Sequence, residues 1–289
     1  MDLILSIASA TCILLVFKLI PRFGANTLHA ITANYAVATV LGLILLPDKS
    51  QLLEQGLDSW VWAGLAVGCL FTGVFFVMAK TSQHIGVGTA GVASKLSLVF
   101  SAAMLAILNP EHPLGIGHYL TLGLAMAGVY LSSMNRAEEK IPSSLLILPL
   151  LVFTGSGLID VVLVYHSNYV LESGFQRGLF ICLPFLSAFA CGATISMLKA
   201  RKGREQVKRI SILLGLLLGL ANFGSVFFLL RIFDSGYLSK TAVIPANNLG
   251  IILAGTAMGV MFFKESLTRQ RIVGLALSLA AMVLLLFLG

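Results

Sequence analysis

Long apolar stretches separated by short polar ones run through the whole chain. A helix needs about 20 apolar residues, at a rise of about 1.5 Å each, to cross the hydrocarbon layer of a bilayer. The polar intervals between the apolar stretches leave no room for a soluble domain. The pattern therefore predicts an all-α membrane protein with ten transmembrane helices. The stretches are 2–20, 26–46, 59–80, 87–108, 117–134, 144–165, 176–198, 210–232, 238–262 and 268–288.

The second half of the chain repeats the first. The clearest match sets AGVASKLSLVFSAAMLAILNPEHPLG, within residues 87–131, against VIPANNLGIILAGTAMGVMFFKESLTRQ, within residues 238–285. In each copy an acidic residue, Glu111 or Glu265, follows a helix, and a helix rich in small residues comes next. Five spans per copy is an odd number, so the two copies are expected to lie inverted in the membrane, as in many secondary transporters.

The repeat sets the predicted domain organisation. The first five-helix repeat covers residues 1–134 and the second covers 144–289. Between them lies a polar linker loop, 135–143, with the sequence NRAEEKIPS. Two inverted units that meet at an interface favour a carrier that exposes a central site to each side of the membrane in turn.

Composition supports a membrane protein. The chain is 58% hydrophobic and 11% charged, with a mean hydropathy of +0.97. A soluble domain of this size could not bury so much apolar surface. The net charge of +7 arises in short loops, so it indicates membrane topology and not nucleic-acid binding.

The loop charges predict an orientation. One set of loops carries 14 basic residues and the opposite set carries 4, with Lys95 left inside a span. Because cytoplasmic loops are enriched in Lys and Arg, the basic set is assigned to the cytoplasm and both termini to the outside of the inner (cytoplasmic) membrane. The set of 14 is Lys18, Arg22, Lys80, Arg136, Lys140, Lys199, Arg201, Lys202, Arg204, Lys208, Arg209, Lys264, Arg269 and Arg271.

Two charged side chains lie well inside predicted spans. Lys95 is in the fourth span and Asp160 is in the sixth. A charge there costs about 2.5 kcal/mol or more and must face a cavity or a partner. Lys95 is a candidate binding cation for a carboxylate or phosphate, the alternative being a structural pair with Asp160. Asp160 is a candidate proton-coupling group, the alternative being a helix–helix hydrogen bond or an ion pair with Lys240.

Polar amides form the rest of the predicted site. Asn247 and Asn248 align with Ala93 and Ser94, beside Lys95 in the other repeat, and follow Pro245 in the ninth span. Proline frees a backbone carbonyl in its helix, so this region is a candidate for substrate contact, with interhelical packing as the alternative. A weaker group of candidates consists of Asn34, Tyr35 and Asn222.

Catalytic and metal-binding patterns are missing from the sequence. Cys12, Cys69, Cys182 and Cys191 fall within spans without metal-ligand spacing, and we interpret them as packing residues. The run TGSGLID at 154–160 does not match an intramembrane serine protease, and there is no Walker loop. We therefore predict no cofactor, no metal site and no enzymatic activity.

The stretch FFKESLTRQRIVGLALSLAAMVLLL, residues 262–286, resembles the end of an EamA repeat: an acidic residue after a short turn, a Leu-Thr start and a last helix rich in Gly and Ala. The chain is thus similar to the ten-span EamA group of the drug/metabolite transporter superfamily. The resemblance implies a 5+5 inverted-repeat fold and a transport role, and it names no substrate. The first repeat departs from the pattern at NPEHP, residues 109–113.

These observations together predict a secondary transporter, an exporter of a small polar metabolite that works by alternating access. The expected partners are an amino-acid-like or other anionic or zwitterionic solute, the lipid bilayer and protons, and the expected state is a monomer or homodimer. Uniport and exchange are alternatives to proton coupling. A sugar or nucleotide-sugar carrier on the same fold is the main alternative function, followed by an intramembrane enzyme or a channel.

Overall fold

The computed structural model of the chain describes residues 1–46, 48–53, 56–108, 115–133, 142–201, 207–235 and 240–288. Within those ranges all regular structure is helical, which confirms the predicted all-α class for the part described. Two short 3-10 helices, Lys49–Leu53 and Ser143–Leu146, precede α3 and α6. The α-helices are α1 (Asp2–Arg22), α2 (Thr27–Leu45), α3 (Ser59–His84), α4 (Val87–Leu108), α5 (Ile116–Ser133), α6 (Ile147–Tyr169), α7 (Gly174–Arg201), α8 (Arg209–Ser235), α9 (Lys240–Phe263) and α10 (Arg269–Leu288).

Among the described residues, eight helices are long and apolar enough to cross a membrane, as expected of a multi-pass membrane protein. Helices α5 and α10 are not among these eight. The count of ten spans and the inversion of the two repeats therefore remain predictions. Most of the predicted linker, 135–143, and all of the NPEHP segment, 109–113, lie outside the described residues.

The chain packs as two compact units. Unit 1 consists of Met1–Leu19, Val77–Val161 and Gly224–Gly289, and unit 2 of Ile20–Phe76 and Val162–Phe223. Each unit draws on both halves of the sequence. The residues of a packing unit therefore do not coincide with those of a predicted sequence repeat.

Small residues hold unit 1 together where α5 meets α10. A Cβ added at Gly128 would lie 2.5 Å from Ser278 Oγ and 3.0 Å from its backbone nitrogen. A Cβ at Gly274 would collide with the backbone at Ser132. Both helices thus carry a Gly-x-x-x-Ser pair that allows close backbone approach, the form of packing that replaces the hydrophobic effect between helices in lipid. Thr89 on α4 joins this pair by donating a hydrogen bond to the Ser132 carbonyl at 2.8 Å.

Unit 2 is built around α2 and α7 and uses aromatic side chains as well as small ones. Tyr35 on α2 is fully buried against the rings of Phe71, Phe75 and Phe185, with centroids 5.4–6.3 Å away. A Cβ at Gly192 on α7 would lie 2.5 Å from Thr32 Oγ1. Offset aromatic packing and close helix contact together stabilise this core.

Candidate functional site

Lys95 lies in an apolar stretch of α4. Its neighbours Val92, Ala93 and Leu96 are fully buried, and Lys95 itself is half-buried. The Lys95 ammonium forms no hydrogen bond or contact ion pair with a described residue, but it interacts electrostatically with the Asp160 carboxylate of α6. The two charges interact, so the role of Lys95 as a substrate-binding cation and its alternative role as a structural partner of Asp160 both stay predictions.

Asp160 is held by a serine that the sequence analysis did not select. Ser97 Oγ is 3.2 Å from Asp160 Oδ2 and 2.7 Å from the Ser94 carbonyl oxygen. Ser97 is 1% exposed, so both contacts lie inside unit 1. A serine hydroxyl has a single hydrogen, so it donates to one of these oxygens at a time. When it donates to the Ser94 carbonyl, its own oxygen can accept a hydrogen bond from a protonated Asp160. Ser97 is therefore able to hold Asp160 either ionised or protonated.

The amide pair of α9 packs against α4, as the sequence alignment of the repeats suggested. Asn248 Nδ2 donates a hydrogen bond to the backbone carbonyl of Lys95 at 3.3 Å. Asn247 is 4% exposed, and its Oδ1 accepts no hydrogen bond from any residue that the structure describes. Pro245 lies within α9, where it cannot donate a backbone hydrogen bond. Unit 1 thus packs Asn248 against the Lys95 backbone, and the adjacent residue Asn247 has a buried acceptor without a described donor.

The remaining predicted residues belong to unit 2. Asn222 Nδ2 donates to Asn34 Oδ1 at 3.2 Å, and both side chains are buried. Tyr35 donates its hydroxyl hydrogen to the Phe71 carbonyl at 3.0 Å. In this structure Tyr35 serves packing, because both its ring and its hydroxyl have partners inside the unit. Lys240, the other predicted partner of Asp160, has its side chain outside the described part of the chain.

A second polar cluster, around Glu265, was identified in sequence only as a marker of the repeat. Glu265 Oε1 accepts a hydrogen bond from the backbone N–H of Val87 at 2.8 Å and lies 3.4 Å from Lys18 Nζ. The carboxylate therefore caps the first residue of α4, where an anion complements the helix dipole. A Cβ at Gly86 or Gly259 would lie 2.6 or 2.7 Å from Glu265 Oε2, so both glycines leave room for the cap.

Arg271 closes the same cluster from α10. It donates to the backbone carbonyls of Ile85 at 2.7 Å and Ser266 at 3.1 Å. The Glu265 cluster thereby joins the end of α1, the turn between α3 and α4 and the connection between α9 and α10, all within unit 1.

A sequence signal for Ser97 did exist. Ser94, Ser97 and Ser101 recur at three- and four-residue spacing, which places them along one side of α4. The capping role of Glu265 had no such signal, since it depends on a contact with a helix far away in the sequence.

No protein-family model matches the chain. An uncharacterized protein of Haemophilus influenzae is 26% identical over 295 residues, which cover 99% of this chain and 98% of the relative. A solved crystal structure of a protein aligns with 96% of this chain and 95% of its own, at 16% identity and a TM-score of 0.56. At that identity the likeness concerns the fold alone, and it supports a helical arrangement that extends over nearly the entire chain.

Proposed function

We propose that the protein is a secondary transporter of the EamA type that moves a small anionic or zwitterionic metabolite across the cytoplasmic membrane by alternating access. The observation that carries the proposal is that α4 and α6 of one helix bundle carry a lysine and an aspartate in apolar stretches, with the Asp160 carboxylate hydrogen-bonded by the buried Ser97 at 3.2 Å. Charged groups inside membrane helices usually mark a substrate or ion pathway, because an idle charge there would only destabilise the fold.

The proposed roles follow from the contacts. Lys95 binds the anionic group of the substrate, Asn247 offers an open amide oxygen to a substrate donor, and Asn248 fixes the α4 backbone at Lys95. A hydrogen bond to a charged group contributes about 1.5–3 kcal/mol, so these residues together suffice for moderate affinity. Asp160 is the proposed coupling group. The Asn34–Asn222 pair of unit 2 is a secondary candidate for substrate contact.

A thermal-shift screen of the purified protein against amino acids, carboxylates and phosphate esters tests the proposal. A ligand that binds only the folded state stabilises it by about 2.7 kcal/mol at a hundredfold excess over its Kd. We expect at least one anionic compound to raise the Tm of the wild type and not that of Lys95→Met. Lys49→Met, which removes an exposed lysine, is the matched control and should respond as the wild type does. Equal Tm shifts in Lys95→Met and the wild type would remove Lys95 from the site.

A further inference from the structure

The positive charge of the Lys95 ammonium is balanced by the negative charge of the Asp160 carboxylate. Among the residues described, Lys95 on α4 is the charged group that acts on Asp160, and Ser97, which bonds the Asp160 carboxylate, is neutral. A lone charge inside a membrane bundle is strongly disfavoured, so one cation calls for one anion. Without substrate, the Asp160 carboxylate is that anion.

We propose, resting on the transport function above, that Asp160 stands in for the anionic group of the substrate, so that each bound anion brings one proton onto Asp160 and the two cross the membrane together. When the substrate anion reaches the Lys95 ammonium, the set would carry one negative charge too many. Protonation of Asp160 removes it. The empty site (ammonium with carboxylate) and the loaded site (ammonium with substrate anion and a carboxylic acid) then have the same net charge.

Ser97 supplies the geometry for both states. With Asp160 ionised, the Ser97 hydroxyl donates to Oδ2 at 3.2 Å. With Asp160 protonated, the carboxylic acid donates to Ser97 Oγ, and the serine hydrogen passes to the Ser94 carbonyl at 2.7 Å. One hydroxyl rotation therefore accommodates the proton, and no side chain has to move.

Two consequences for transport follow. Net movement of a monoanion is electroneutral and carries about one proton in the same direction, so the direction of flux depends on the anion and proton gradients and not on membrane potential. Asp160→Asn leaves the loaded site neutral but the empty site with an uncompensated ammonium. The return of the empty carrier should then slow by roughly 50-fold, from the charge-burial penalty, whereas anion-for-anion exchange, which needs no empty carrier, continues.

Proteoliposomes of the full chain test this with labelled L-glutamate, L-lactate and inorganic phosphate as probes. For the transported probe, the wild type should acidify the vesicle interior in step with net uptake, and a valinomycin-clamped potassium potential should not change the rate. Asp160→Asn should lose net uptake and proton movement but keep exchange. Asp160→Glu should keep net uptake with proton movement, and it should also keep exchange. Asp58→Asn, at an exposed acid, is the matched control.

The possible failures are separable. Net, proton-coupled uptake that persists in Asp160→Asn, or wild-type uptake that follows potential without proton movement, would overturn the stand-in role and leave the transporter assignment intact. If the wild type neither transports any of the three probes nor binds one in a manner that depends on Lys95, the proposed function fails and this inference fails with it.

Discussion

Lys95 and Asp160 are individually unfavourable residues that become tolerable as a set. Removal of one member of a buried charge pair costs up to about 3–5 kcal/mol, because the other is left uncompensated, whereas replacement of both can be nearly neutral. The stability effects of the two sites should therefore be strongly non-additive.

We predict that Lys95→Met destabilises the protein more than Lys95→Met combined with Asp160→Asn, because the double variant leaves no uncompensated charge in the bundle. Thermal unfolding in detergent of the two single variants and the double variant measures this. Additive Tm changes would show that the two charges do not interact.

At the residue scale, the sequence identifies candidate residues but predicts few of their contacts. Lys95 and Asp160 stand out because a charge in an apolar stretch is conspicuous, and the repeat alignment placed the asparagines of α9 near Lys95, where Asn248 indeed bonds the lysine carbonyl. Ser97 was missed because serine is common in membrane helices and its contact with Asp160 depends on how α4 and α6 pack. The hydrogen bond from the Tyr35 hydroxyl to the Phe71 carbonyl could not be predicted, because no sequence pattern indicates that backbone partner.

At the scale of the helices, the sequence predicted where each helix lies better than it predicted the residues at which the helix begins and ends. Each predicted apolar stretch overlaps a described helix over most of its length, because length and hydropathy are local properties of the sequence. Helix α3 continues to His84, beyond the predicted end at residue 80, and α7 runs from Gly174 to Arg201, past the predicted 176–198 at both ends. The extension of α3 includes Ser82, whose hydroxyl donates a hydrogen bond to the Leu14 carbonyl of α1 at 3.0 Å. A contact of this kind lets a helix continue into polar sequence.

The cap on α4 leads to a prediction about helix stability. Glu265→Gln keeps a carbonyl oxygen for the Val87 N–H but removes the charge that interacts with Lys18, so we expect a loss of about 1 kcal/mol of folding free energy. Glu265→Ala should cost more, because the buried N–H then loses its acceptor. Glu172→Gln, at an exposed acid, is the matched control. The measurement is Tm for the three variants, and a Glu265→Ala protein as stable as the wild type would contradict the capping role.

For the molecule as a whole, the Glu265 cluster tests the internal consistency of the predicted topology. It brings the end of α1, the turn between α3 and α4 and the start of α10 to one place in unit 1. The residues that meet there include Lys18 and Arg271, both from the basic set of loops assigned to the cytoplasm. If α1, α3 and α9 all end on the cytoplasmic side of the membrane, as the predicted topology requires, these three connections lie on the same side and can contact one another. The charge bias and the packing of unit 1 therefore agree, although they come from independent properties of the chain.

We predict from this agreement that both termini are extracytoplasmic. Helix α1 runs toward the Glu265 cluster and α10 runs away from it, so each terminus lies one helix length from the predicted cytoplasmic end. Alkaline phosphatase fused after residue 289 should be active and green fluorescent protein fused there should be dark, because the first folds in the periplasm and the second in the cytoplasm. Fusions after residue 204, in the most basic loop, are the internal control and should behave in the opposite way. A fluorescent C-terminal fusion with a phosphatase-active fusion at residue 204 would invert the orientation, whereas equal signals at the two sites would mean that the number of spans between them is even.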